Sequence, residues 1–155
     1  MKVYLVQHAE AMSKDEDPDR PLTEKGLTDI KRVATYVAKK AVIKVGIIVH
    51  SGKVRAQRTA EEIYEVLTDT ATVTSVKDLE PMSDPAIWAE KIGEQEKDIM
   101  LVGHLPHLAK LAALLLCGDA NKQIVSFEMA GMVCLEKVGK EKWAVKWMIT
   151  PEMVC

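Results

Sequence analysis

The sequence predicts an α/β layered sandwich of three layers, with a mostly parallel central sheet flanked by helices. Three observations predict it. Short β-branched and apolar runs alternate with longer stretches whose apolar residues recur every three or four positions. That alternation runs from Lys2 to Gly118. Past Asn121 the pattern changes to closely spaced strand-like runs around Gly139-Lys140-Glu141-Lys142, a hairpin turn that closes the sheet.

Lys2–Gln7 reads as a buried strand, and the polar stretch Ser13–Pro21 as a surface loop, because Pro18 and Pro21 block a helix. Thr23 is the expected N-cap of the next helix, with Glu24 suited to its first turn. Leu27, Ile30, Val33, Ala34, Val37, Ala38 and Ala41 form that helix's apolar face. Val45–His50 is the second strand, and Ala56, Ala60, Ile63 and Leu67 mark the second helix. Ala71–Val76 is a short strand, Ala86–Ile92 a helix, and Asp98–Gly103 a third strong strand. Pro106 suits a helix first turn, and Leu108, Leu111, Ala112 and Leu115 carry that helix to Gly118. Ile124–Phe127, Met132–Val138 and Trp143–Ile149 read as strands.

Composition narrows the function. The chain has 155 residues, which predicts one domain over 1–155 with a full core. Lys and Arg total 21 against 23 Asp and Glu, so no bulk basic charge holds it to nucleic acid. The apolar run Leu111–Cys117 is far shorter than the ~20 residues of a membrane helix, and Lys2–Gln7 lacks the apolar region of a signal peptide. Cysteines 117, 134 and 155 are odd in number and form no C-x-x-C, which fits a reducing cytoplasm.

In a parallel α/β sheet, ligands bind beyond the carboxyl ends of the strands. Here those ends carry the reactive residues. The first strand leads into Gln7-His8-Ala9-Glu10, the second into His50-Ser51-Gly52 with Arg55 and Arg58 beyond, the third into Gly103-His104-Leu105-Pro106-His107. Imidazole and guanidinium lining one pocket suit a phosphoryl group or another oxyanion.

These segments resemble the histidine phosphatase superfamily, which has the phosphoglycerate mutase-like fold, and in particular its short SixA-like phosphohistidine phosphatases. Val6–Glu10 stands where the family has Arg-His-Gly. Arg20-Pro21-Leu22-Thr23-Glu24-Lys25-Gly26 resembles its R-P-L-T-x-x-G segment. Ser51–Ala60 is similar to S-P-x-x-R-A-x-x-T-A, and Leu101–Pro106 to V-G-H-x-P. The run from Trp143 to Pro151 resembles the short family's ending. The resemblance implies that His8 is the nucleophile and forms a phosphohistidine, with no metal or other cofactor. It implies that His104 is protonated and donates to a phosphoryl oxygen, and that Arg55 clamps two more oxygens. Ser51 and Arg20 then border the substrate. The implied reaction is hydrolysis of phosphohistidine on a partner protein, in signal transduction.

Several readings stay open beside it. Arg58 is a substrate contact or pairs with Glu61, Glu62 or Glu65 on its own helix. Glu80, and after it Glu10, is a candidate acid at the pocket edge; His50 and His107 match no part of the motifs. His8-x-Glu10 with His104-x-x-His107 also spells a metal site, but one that leaves Arg55 without a purpose. Gln7 replaces the family's arginine, so the pocket loses a charge and a five-donor fork. The alternatives are therefore a small-molecule phosphomonoesterase, or a phosphate-binding module whose turnover Gln7 has weakened or abolished. The absence of a long lid carrying an acid favours a phosphoramidate substrate, whose leaving group needs less help than an alkoxide.

Overall fold

The computed structural model describes residues 1–67 and 72–154. In chain order the elements are β1 (Lys2–Gln7), α1 (Glu24–Lys40), β2 (Ile47–His50), α2 (Val54–Val66), β3 (Thr72–Ser75), α3 (Pro85–Gly93), β4 (Ile99–Gly103), α4 (His107–Cys117), β5 (Met132–Gly139) and β6 (Lys142–Ile149). A 3-10 turn, Pro151–Met153, follows. The six strands form one sheet in the order β3-β2-β4-β1-β5-β6. The β1–β4, β2–β4 and β2–β3 pairs are parallel, and β5 is antiparallel to both β1 and β6. This is the predicted mostly parallel sheet.

The period of two in β1 divides the core. Tyr4 and Val6 point to one face, where Ile30 and Val33 of α1 and Ala60 and Ile63 of α2 cover them. Val3 and Leu5 point to the other, under Trp88 and Ile92 of α3 and Leu108 and Leu111 of α4. Helices thus bury both faces, giving three layers. At α1 the Thr23 side chain accepts from the Gly26 N–H, and Glu24 and Lys39–Lys40 match the ends of the helix dipole. Gly118, at φ +73°, ends α4 in the left-handed cap that suits glycine.

Two expectations need comment. Ile124–Phe127 is no strand: it pairs with none of the six strands, and β1, over whose end the following turn folds, is already hydrogen-bonded on both sides by β4 and β5. Its residues pack instead as an irregular segment, with Phe127 buried and Ile124 half exposed. The expected strand Ala71–Val76 forms from Thr72, and Ala71 lies outside the described residues, as does Cys155. Among the described residues no helix is long and apolar enough to cross a membrane.

Candidate active site

Strand register builds the site. Gln7 lies opposite Gly103, and His50 opposite Val102, so β1, β2 and β4 end at one level. The residues just beyond them are His8, His104 and Ser51. The His8 N–H continues the ladder onto the Gly103 carbonyl at 3.0 Å. The His8 and His104 rings consequently sit side by side, with centroids 5.1 Å apart. Ser51 Oγ reaches His104 Nε2 at 2.6 Å and also accepts from the Lys53 N–H at 3.3 Å.

His8 is fixed in one tautomer. Its Nδ1 lies 2.7 Å from the Ala9 carbonyl, which only accepts, so Nδ1 carries the proton and Nε2 keeps a lone pair. Burial lowers the His8 pKa from 6.5 to about 4, with the charges of Arg55 and Arg20 helping and the Ala9 bond opposing. At neutral pH this ring is neutral. The resemblance implied a protonated His104, and the protein's own groups argue otherwise. Burial first, then the charges of His8, Arg55, Lys53 and His107, lower its pKa to about 3. His104 is 1% exposed, and its Nδ1 has no hydrogen-bond partner.

The cations surround this pair. Arg55 stands on the first turn of α2, its Nε buried without a partner, and burial plus the charge of Arg20 lower its pKa. Arg20 lies within electrostatic reach of both His8 and Arg55. It is held there by a bond from its Nε to the Met12 carbonyl at 3.0 Å and by a φ of +50°. Gathering two guanidiniums and a lysine around neutral imidazoles is costly without an anion, and it is the arrangement a phosphoryl group neutralises.

Other candidates lie elsewhere. Arg58 does not join the pocket: its guanidinium pairs with Glu62 at 2.6 Å and Glu61 at 3.5 Å, as helical spacing allows. Glu80 lies near Lys53 and His107, but as an acid it is unsuited. Backbone donors and a 2.8 Å bond from Ser83 Oγ lower its pKa and keep it ionised. Glu10 accepts from Thr23 Oγ1 at 2.9 Å. His50 shapes the turn by accepting from the Gly52 N–H at 3.1 Å, and Gly52, at φ +87°, needs to be glycine. His107 opens α4 and is fully buried with neither ring nitrogen bonded. Among the described residues no three His, Cys, Asp or Glu side chains gather to hold a metal ion. Gln7 is 9% exposed, its Oε1 lacks a partner, and it lines a cavity with Glu10 and Glu128.

Thr59 is the residue whose part the sequence reading did not identify. Fully buried, its hydroxyl donates to the Arg55 carbonyl at 2.7 Å and accepts from the Ala9 N–H at 2.9 Å. It thereby ties the loop after His8 to the helix bearing Arg55. Its place four residues beyond Arg55, on one helix face, was the available signal.

A model of the histidine phosphatase superfamily (branch 1) matches residues 3–83. The chain belongs to that superfamily. By reaction class this histidine phosphatase superfamily member is a phosphatase. The structure of the protein histidine phosphatase SixA complexed with tungstate matches at 20% identity over 99% of each chain, with a TM-score of 0.85. Alpha-ribazole phosphatase from Shigella flexneri matches at 14% identity over 97% of each chain, TM-score 0.78. A mycobacterial glucosyl-3-phosphoglycerate phosphatase structure with VO3 matches at 16% identity, over 94% of this chain and 97% of the other, TM-score 0.71. At these identities the likeness is one of fold. No curated protein matches the chain.

Proposed function

We propose that this protein hydrolyses phosphohistidine on a partner protein, through a covalent phosphohistidine at His8. The observation that carries the reading is the bond from His8 Nδ1–H to the Ala9 carbonyl, beside His104 and Arg55, which leaves Nε2 free to attack. In the first step a bond forms between His8 Nε2 and phosphorus while the substrate's P–N bond breaks. The electron pair stays on the leaving imidazole, which takes a proton from water. In the second, water attacks phosphorus, the bond to His8 breaks, and inorganic phosphate departs. Arg55 and Arg20 face the charge that develops on the equatorial oxygens. A dianionic phosphoryl group raises the pKa of His104, which then takes up a proton and donates to an oxygen.

The ionised Glu80 supports a phosphoramidate over an alkyl ester, since an ionised carboxylate has no proton to give to an alkoxide. One observation favours a second reading, a small phosphomonoester: the cavity beside Gln7, about 420 Å³, has the size of a small leaving group's site. Labelling separates these readings. A labelled phosphohistidine protein mixed with the enzyme in the cold, then digested in alkali, is expected to leave label on the peptide containing His8. Label that persists in His8→Ala overturns the assignment. Faster cleavage of a sugar phosphate than of the phosphohistidine protein puts the second reading first.

A further inference from the structure

The two pocket histidines have partners of different kinds. The carbonyl that holds His8 can only accept, so that ring keeps one tautomer. His104 is held by a hydroxyl, which can donate or accept: Ser51 Oγ lies 2.6 Å from its Nε2. Both side chains are buried, Ser51 at 8% and His104 at 1% exposure. The Nδ1 of His104 is sealed off and has no partner among the described residues, so Ser51 alone fixes the ring.

In the free site that bond runs from Ser51 to His104. A neutral His104 has one ring N–H. When Ser51 donates to Nε2 and accepts from the Lys53 N–H at 3.3 Å, its hydroxyl is fully used and only the His104 Nδ1–H is unpaired. The reverse direction leaves both Nδ1 and the hydroxyl proton without a partner, which costs more. Sheet order puts β4 between β2 and β1, so His104 stands between Ser51 and His8, and Arg55 rises from the first turn of α2 just past Lys53. With Nδ1 closed off, Nε2 is the nitrogen through which this ring can answer a phosphoryl group, and Ser51 stands on it.

We propose that Ser51 is a further catalytic residue, a hydroxyl that carries a proton from a monoanionic phosphoryl group to His104 and then donates to the oxygen it has stripped. The inference rests on the reading of His8 as the residue that receives the phosphoryl group. A phosphoryl group with a second pKa of about 6 supplies that monoanion near neutral pH. In the relay the Ser51 O–H bond breaks as its proton forms an N–H bond at His104 Nε2. Ser51 Oγ takes in exchange the proton of the phosphoryl oxygen, whose O–H electron pair stays behind as charge. The site then holds an imidazolium, an intact hydroxyl and a dianion, with no proton gained or lost. His8, Arg55, Lys53 and His107 all oppose charge on this ring, so the imidazolium lasts only while the dianion is bound.

Nitrogen NMR spectra of the histidine rings test the relay, with His104 assigned by the signals missing from His104→Gln. In the wild-type protein, Nε2 of His104 is expected to be a bare acceptor in the free site and an N–H when inorganic phosphate is bound. In Ser51→Ala it is expected to stay bare with phosphate, and kcat/KM for phenyl phosphate to fall about thirtyfold. Ser51→Thr, which keeps the hydroxyl, is expected to stay within about threefold of the wild type. An Nε2–H in the free protein, or a ring that charges equally in Ser51→Ala, overturns the relay and leaves the role of His8 standing. Failure of the wild-type protein to take label on His8 overturns the role of His8 instead, and the phosphate spectra still decide the relay.

Discussion

A histidine attacks phosphorus only while its ring is neutral, and burial secures that for His8 well into the acid range. With its pKa at about 4, the acid limb of kcat/KM, corrected for substrate ionisation, is expected to fall near pH 4. A limb near 6.5 would show a solvated ring and overturn the buried nucleophile. Gln7 supports a second prediction. Gln7→Arg places a guanidinium in the cavity lined by Glu10 and Glu128, and restores a charged fork next to His8. Turnover of phenyl phosphate is expected to rise about tenfold. Steady-state rates of the two proteins on that compound check it, and an unchanged rate would show that position 7 does not face the phosphoryl group. At this scale the sequence was uneven as a guide. His8, Ser51 and His104 were legible because each follows a strand, and strand ends converge. The protonation of His104 was not, because its burial depends on neighbours from three separate stretches of chain. Arg58 was ambiguous because one helical spacing serves a pocket and an ion pair equally, and geometry chose Glu62.

Between elements, two small residues hold the pocket in register. Gly26, in the first turn of α1, lies against the Glu10 backbone so closely that an added Cβ would overlap the Glu10 carbonyl oxygen. Gly26→Ala is therefore expected to cost about 2–3 kcal/mol of stability in urea unfolding, because backbone rather than a flexible side chain must move. Thr59 joins α2 to the loop after β1. Thr59→Val keeps the shape but strands the Ala9 N–H, at about 1–3 kcal/mol. Its kcat is expected to fall more than its KM rises, since the Ala9 carbonyl that orients His8 belongs to the loosened loop. A change confined to KM would count against that positioning role. The regular elements were legible from periodicity, while Ile124–Phe127 misled. Its apolar, β-branched character reflects a segment that sinks Phe127 into the core without a strand to pair with, and pairing is a property of the sheet, not of the segment.

For the whole molecule, buried neutral histidines make stability depend on pH. His8 and His104 have folded-state pKa values of about 4 and 3, below the unfolded 6.5, so the unfolded chain binds more protons between these limits. The stability is complete above 6.5 and is lost as pH falls towards 4. At pH 5 the loss is about 2 kcal/mol for each of the two rings. Denaturant unfolding at pH 7 and pH 5 is expected to show it, with a smaller loss in His8→Asn; an identical loss in that variant would remove His8 from the account. The back-folded turn that carries Glu128 and Met129 has a wider meaning. It arrives from the far end of the chain, after His8, Arg20, Arg55 and His104 have all been laid down, and it touches β1 through the Ala130 backbone. The Gln7 and His8 carbonyls therefore wait for their donor until chain far beyond those residues has been made. A chain halted before Ala130 holds all four of those side chains but not the donor that closes the end of β1, so the pocket takes its final form only once that turn has been made.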